Sequence, residues 1–279
     1  MVDLENILPI NSSLQDCIAY YYFFRNESEN YTTDFIHYPH YRTTLNFYLD
    51  ADISIVPDGR VVRHQANNTI TAIGTNNKHA AKFAKVLGSI NCIGVVFKPL
   101  GFNHFTKKTY QKIFPDSVVL LDELWPNFKP EIRVIFNSAS LEEKVQLLDQ
   151  FFIKRFEPLP NVLLPQIIEA IFHAEGTIKI NELERKFSIN RRSMLRMFQR
   201  HLGCSISRFK QVVKFRNVLN EYQQSVAEPS YTELAYRHNY YDQSDFIKHF
   251  KGLTGAIPKE VIKKLTTVGQ KDIYWKFEE

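Results

Sequence analysis

Eleven polar side chains in two short segments have the types and spacing to meet a nucleic acid. They are Arg191, Arg192, Ser193, Arg196, Gln199 and Arg200, then Gln243, Ser244, Asp245, Lys248 and Lys251. Arginine gives two parallel hydrogen bonds to a guanine edge, glutamine pairs the same way with adenine, and serine suits either. Arg192 and Arg196 fit a base edge and a phosphate equally well; Arg191, Arg200 and the more distant Lys214 fit phosphate or water. Asp242 has the chemistry of a helix cap. Asp245 is suited either to repel phosphate or to accept from cytosine.

Other chemistries find less support. His37 and His40 lie three apart beside Tyr38 and Pro39, with no acid or cysteine at ligand spacing. No glycine-rich phosphate loop, nucleophile elbow or His-Glu-x-x-His run is present. Cys17, Cys92 and Cys204 are odd in number and far apart, which suits neither a disulfide framework nor a metal site. A non-enzyme without metal or cofactor, in a reducing cytoplasm, is therefore expected. No run of about 18 apolar residues spans a membrane, and no basic start precedes an apolar stretch at the N-terminus. The aromatic stretches Tyr20–Phe24 and Tyr38–Phe47 read either as ordinary strand core or as the wall of an effector pocket. Such a pocket would be lined by Tyr38, Tyr41, Arg42, Phe47 and Tyr48.

Positioning the polar rows requires helices, and the chain writes the same unit twice. Leu183 to Gly203 (LERKFSINRRSMLRMFQRHLG) and Leu234 to Gly255 (LAYRHNYYDQSDFIKHFKGLTG) share their apolar spacing. Leu183 matches Leu234 at an offset of 51, and Met194, Phe198 and Gly203 match Phe246, Phe250 and Gly255 at an offset of 52. A repeat of this length is one small helical module built twice. Asn190 and Asp242 cap the second helix of each copy. Met194, Phe198 and Leu202 face inward in the first copy, and Phe246, Phe250 and Leu253 in the second. Asn181-x-x-Glu184 and Ser230-x-x-Glu233 read as capping boxes for the preceding short helices. Ile206–Tyr222 reads as one long helix holding the copies apart, with the polar rows entering major grooves about 34 Å apart.

Before this half lies a strand-rich one. Leu45–Leu49 alternates apolar and polar residues, Ile53–Val56 runs into the Pro57-Asp58-Gly59 turn, and Val61-Val62, Thr69–Ile73 and Ile90–Phe97 add strands. His79–Leu87 and Phe102–Phe114 read as helical. Ser140-x-x-Glu143 opens a helix to Phe156 whose Leu141, Val145, Leu148 and Phe152 stripe faces either a core or a dimer seam. Two prolines in Glu157-Pro158-Leu159-Pro160 end it. The expected organisation is α+β in two domains. A mixed sensor or regulatory domain spans 1–157, a linker 158–164, an all-α double helix-turn-helix domain 165–263 and a tail 264–279. Charge divides the same way: residues 161–279 carry 19 Lys+Arg against 13 Asp+Glu. Arg191–Arg216 holds eight basic residues and no acid, a row that reads as a solvated helix face or, beside the duplicated modules, as a polyanion footprint.

At these residues the chain resembles the AraC/XylS family of bacterial transcription regulators. The second module carries that family's pattern in Leu234-Ala235, Asn239-Tyr240, Ser244, Phe246, Lys248, Phe250-Lys251, Gly255 and Pro258. Three positions depart from it. Asn239 stands for the usual turn glycine, Ile206 for a common proline and Lys248 for the usual arginine, which removes bidentate geometry there. Pro57-Asp58-Gly59 and Phe97–Gly101 are similar to a sensor domain of some members. The resemblance implies a regulator that binds double-stranded DNA, works with RNA polymerase, and responds to a small-molecule effector or to homodimerisation. An architectural DNA-binding protein without sequence choice, and an enzyme with its active site in residues 1–155, are the alternatives.

Overall fold

The computed structural model describes residues 3–76, 80–160, 162–225, 227–262, 266–268 and 273–278. Two sheets dominate the N-terminal half. One has the order β1 (Asp3–Ile7), β2 (Ile18–Asn26), β9 (Ile90–Phe97), β4 (Thr43–Leu49), β7 (Ile70–Asn76) and β10 (Val118–Leu120). The other runs β11 (Thr266–Val268), β12 (Ile273–Glu278), β3 (Thr32–His37), β8 (Lys82–Leu87), β6 (Gly59–His64) and β5 (Ala51–Val56). Only β6 and β8 pair in parallel among the described strands. Lys82–Leu87 is thus a strand where a helix was expected: its apolar residues stand at helical spacing, and pairing with β3 and β6 instead turns Ala84 and Val86, two apart, into the core.

The first sheet is covered on both faces, so β2 reads as an unbroken apolar run, IAYYYFF. Tyr20, Tyr22 and Tyr48 point between the sheets with Phe35, Val62 and Val86. Tyr21, Leu45, Phe47 and Phe97 point outward and are roofed by α3 (Phe128–Asn137) and α4 (Leu141–Ile153). The α4 stripe is core: Val145, Leu148 and Phe152 are fully buried there. Ser140 caps α4 through its hydroxyl as expected, while Glu143 reaches back one residue further than the box requires, to the Ala139 N–H. Two four-residue helices, α1 (Ser12–Gln15) and α2 (Tyr110–Ile113), close this layer. The expected Phe102–Phe114 helix is broken into a 3-10 turn, Gly101–Phe105, and α2.

The helical half starts earlier than the sequence suggests: α5 spans Leu163–His173, with Pro165 in its first turn, where no backbone donor is needed. Then come α6 (Ile180–Phe187), α7 (Arg191–Leu202), α8 (Ile206–Gln224), α9 (Tyr231–Arg237), α10 (Gln243–Thr254) and α11 (Pro258–Ile262). The segment expected as a C-terminal tail instead returns to the first half. β12 pairs antiparallel with β3, Trp275 opposite His37 and Glu278 opposite Asp34. A strand gains its backbone partners only at a sheet edge, and β3 supplies one across the whole chain.

Candidate nucleic-acid interface

Both modules are built by the same local physics. Asn190 Oδ1 accepts from the Ser193 N–H at 2.9 Å and opens α7; Asp242 Oδ1 accepts from the Asp245 N–H at 2.7 Å and opens α10. Both helices end on a left-handed glycine, Gly203 at φ 67° and Gly255 at φ 80°, whose N–H returns to the preceding turn. The turn between the paired helices also uses a left-handed residue, Ser188 (φ 49°) in one and Asn239 (φ 55°) in the other. Asn239 therefore does what the sequence asked of a glycine substitute. Ser230 and Glu233 form the expected capping box on α9. The α6 box starts two residues early, with Glu182 reaching back to the Lys179 N–H at 3.4 Å. That frees Glu184, which accepts from the Arg191 N–H at 2.7 Å and ties the two helices of the first module together.

Burial confirms the inward faces. Met194, Phe198 and Leu202 pack with Leu183 and Phe209, and Phe246, Phe250 and Leu253 pack with Leu234 and Phe215. The opposite rows are open to solvent: Arg191, Arg192, Arg196, Gln199 and Arg200 on α7, with Ser193 half-buried, and Gln243, Ser244, Asp245, Lys248 and Lys251 on α10. The cationic side chains of both rows form no ion pair with a described residue. Their charge is thus available to phosphate.

Several expected roles change. Asp245 Oδ2 accepts from the Tyr241 N–H at 3.3 Å, so this acid completes a cap and its charge is spent on the helix N-terminus. Gln243 accepts from the Thr232 hydroxyl at 2.9 Å. Gln199 lines a cleft of about 1020 Å³ between the two halves, with Gly203, Arg208, Asn76 and Gln111, so it sits at the end of the row nearest the N-terminal half. Two basic residues leave the expected footprint altogether. Lys214 lies 3.6 Å over the Tyr240 ring and donates to the Asn239 carbonyl; Arg216 is 1 % exposed. Sequence reasoning missed Tyr241, 94 % exposed immediately before the α10 cap.

The five residues expected to line one effector pocket are divided among separate clusters, only Tyr38 and Tyr41 sharing one. Phe47 and Tyr48 are neighbours on a strand and so face opposite sides of it, one under the helices and the other between the sheets. Tyr38 packs into the second module, Tyr41 stacks edge-on against Phe172 of α5 at 4.9 Å, and the Arg42 guanidinium lies 5.9 Å from the Tyr20 ring centre.

What the aromatic segment does is join the halves. Arg216 of α8 donates Nε to the Pro39 carbonyl at 2.6 Å and Nη2 to the Tyr38 carbonyl at 2.9 Å. The Ala81 N–H donates to Leu253 of α10, and Asn103 Nδ2 donates to His201 of α7. Tyr38 and Leu100 each enter the apolar cluster of one module. A second, mainly apolar cleft of about 550 Å³ opens between Lys98–Gly101 and α5.

Beneath the α10 row sits a proton-sensitive group. His249 Nδ1 is hydrogen-bonded to the Tyr240 hydroxyl at 2.6 Å. Burial, then the charges of Lys214 and Arg208, push its imidazole down to about 4 against the pull of Asp245. The neutral ring belongs to the fold, so this stability is complete above the ordinary histidine value and drains as pH falls from about 6.5 towards 4. Denaturant titrations should show a loss of about 1.4 kcal/mol per pH unit in that window, with a shallower slope in His249→Gln. Identical slopes would remove His249 from the acid response.

Residues 183–264 match the family model described as a helix-turn-helix domain. No curated protein matches the chain. Solved structures of ToxT from Vibrio cholerae align along most of its length. One, at 14% identity, covers 88% of this chain and 98% of that one with a TM-score of 0.49. A second, at 13%, covers 94% and 96% with a TM-score of 0.42. A third, described as unsaturated fatty acid bound wild-type ToxT, stands at 12% identity, 97% coverage of both chains and a TM-score of 0.43. No described helix is long and apolar enough to cross a membrane.

Proposed function

From the premise that residues 183–264 are an AraC-type helix-turn-helix domain, we propose that this DNA-binding transcription regulator chooses its site by sequence. In this reading α7 and α10 enter successive major grooves of one DNA face. The observation that carries it is the doubled arrangement: two helices with matching caps, matching buried faces and unpaired cationic rows, held by the single helix α8. Arg192 and Arg196 read bases or fix register on phosphates in the first groove. Lys248 and Lys251 act as point charges in the second. The N-terminal half is regulatory rather than catalytic, and its support is Tyr38 and Leu100, which complete the apolar clusters of the two modules. Whatever moves those side chains alters how the modules are held.

The test is a salt titration on a site recovered by genome-wide binding selection and on its scrambled copy. Sequence choice predicts a preference of about 10³ or more beyond the shared electrostatic term. Equal affinity for both DNAs would leave an architectural role as the better reading. Arg196→Ala is expected to cost about 1–3 kcal/mol on the selected site and to relax choice at one base pair. A uniform loss on both DNAs would reassign Arg196 to phosphate.

A further inference from the structure

The N-terminal half sets α2 against the C-terminal end of α7. The Tyr110 ring lies on Gly203, where an added Cβ would stand 3.1 Å from it, and the Tyr110 hydroxyl is hydrogen-bonded to Thr43 of β4 at 2.7 Å. Two residues before Gly203, the His201 carbonyl accepts from Asn103 Nδ2 at 2.8 Å. Tyr110 and Ile113 are buried, which turns Gln111 and Lys112 to solvent. Lys108, just before the Thr109 cap of α2, is exposed as well. Gln111 lines the same cleft of about 1020 Å³ as Gln199 of α7 and Arg208 of α8. Lys108 and Lys112 form no ion pair with a described residue, whereas Lys107 pairs with Glu157 at 3.2 Å. The acid on the cleft wall among the described residues, Asp116, is exposed. Residues 1–160 carry 16 Lys+Arg against 17 Asp+Glu. The cationic edge is therefore no by-product of a basic domain; it is local to the segment that touches α7.

We propose that α2 is an accessory clamp on the DNA backbone: Lys108 and Lys112 bind phosphates of the strand bordering the groove that α7 enters, and Gln111 donates to the same strand. These cations stand beside a helix whose free face already carries Arg196 and Arg200, and a field of one sign attracts a polyanion. Lysine is a point charge suited to phosphate, so the clamp adds affinity and register but no sequence choice. It also links the halves through the DNA. The α2 cations reach the backbone only while Tyr110 stays docked on Gly203, so bound DNA and a docked N-terminal half favour each other. This inference rests on the DNA-binding reading and gives the N-terminal half a share of the footprint.

Full-length wild type, Lys108→Ala/Lys112→Ala and Lys108→Arg/Lys112→Arg are titrated at several salt concentrations with the selected site and its scrambled copy. Two lost phosphate contacts should flatten the slope of log affinity against log salt by about 1.8 on both DNAs. Between about 50 and 200 mM salt the alanine pair should then lose about 12-fold less affinity than the wild type loses. The arginine pair should keep the wild-type slope, and the ratio of selected to scrambled affinity should be the same in all three proteins. Hydroxyl-radical footprinting should show wild-type protection running past the α7 half-site, and the alanine pair should lose that extension. Gln111→Lys adds a charge to the same exposed face and should steepen the slope by about 0.9, so a folding fault in the alanine pair does not decide the matter. A wild-type slope in the alanine pair or in Gln111→Lys, or an unshortened footprint, would overturn the proposal. So would a changed affinity ratio, which would place the lysines at base edges. Equal wild-type affinity for the two DNAs would instead sink the regulator reading, and the slopes would still decide the clamp.

Discussion

Arg216→Ala is expected to lower stability by about 3–6 kcal/mol, the combined worth of two hydrogen bonds from a charged donor. The guanidinium bonds the Pro39 and Tyr38 carbonyls in a fully buried setting, so truncation strands two acceptors as well as opening a void. The bonds cross between the halves, and the loss should therefore appear as early release of one half from the other. Denaturant unfolding followed separately in the sandwich and in the helical half checks this. The wild type should show one coupled transition and the variant two. Arg216→Lys keeps the charge with fewer directed donors and should fall between. A variant with the wild-type midpoint would mean that apolar docking by Tyr38 and Leu100 holds the halves without help.

Phe250→Ala should cost about 3–5 kcal/mol, since a fully buried ring leaves a cavity its neighbours fill only in part. Phe250 meets Phe215 edge-on at 5.1 Å and Phe246 at 5.8 Å. Phe198→Ala, the matching change in the first module, should cost a similar amount through its contact with Phe209 at 5.7 Å. The two rings lie in separate apolar clusters, so their costs should add within about 0.5 kcal/mol. Strong non-additivity would show that the modules share one cooperative core, and an unchanged melt for Phe250→Ala would refute the inward face assigned to α10.

The repeat was readable because its information is local. Caps, left-handed turn residues and apolar residues at spacing four act within a few positions of one another. Asn190, Asp242, Asn239 and the Met194 and Phe246 rows accordingly stand where their residue types require. Where local signals conflict, the reading failed. Lys82–Leu87 has apolar residues at helical spacing, and pairing with β3 and β6 makes it a strand. Asp245, read as repelling phosphate or accepting from cytosine, also accepts from the Tyr241 N–H, a contact its local spacing did not announce.

Long-range contacts carry what the chain order hides. Arg216 reads as one more cation in a basic run, yet the carbonyls that bury it stand about 180 positions earlier, at Tyr38 and Pro39. Phe47 and Tyr48 looked like companions in one pocket, and the two coverings of β4 divide them. The doubled helix-turn-helix modules and their cationic rows were written in the sequence, because short-range hydrogen bonds and periodicity suffice to make them. How the sandwich grips both modules, and the burial of Arg60 within it, were decided by tertiary structure, because only packing brings distant strands and helices to the same few ångströms.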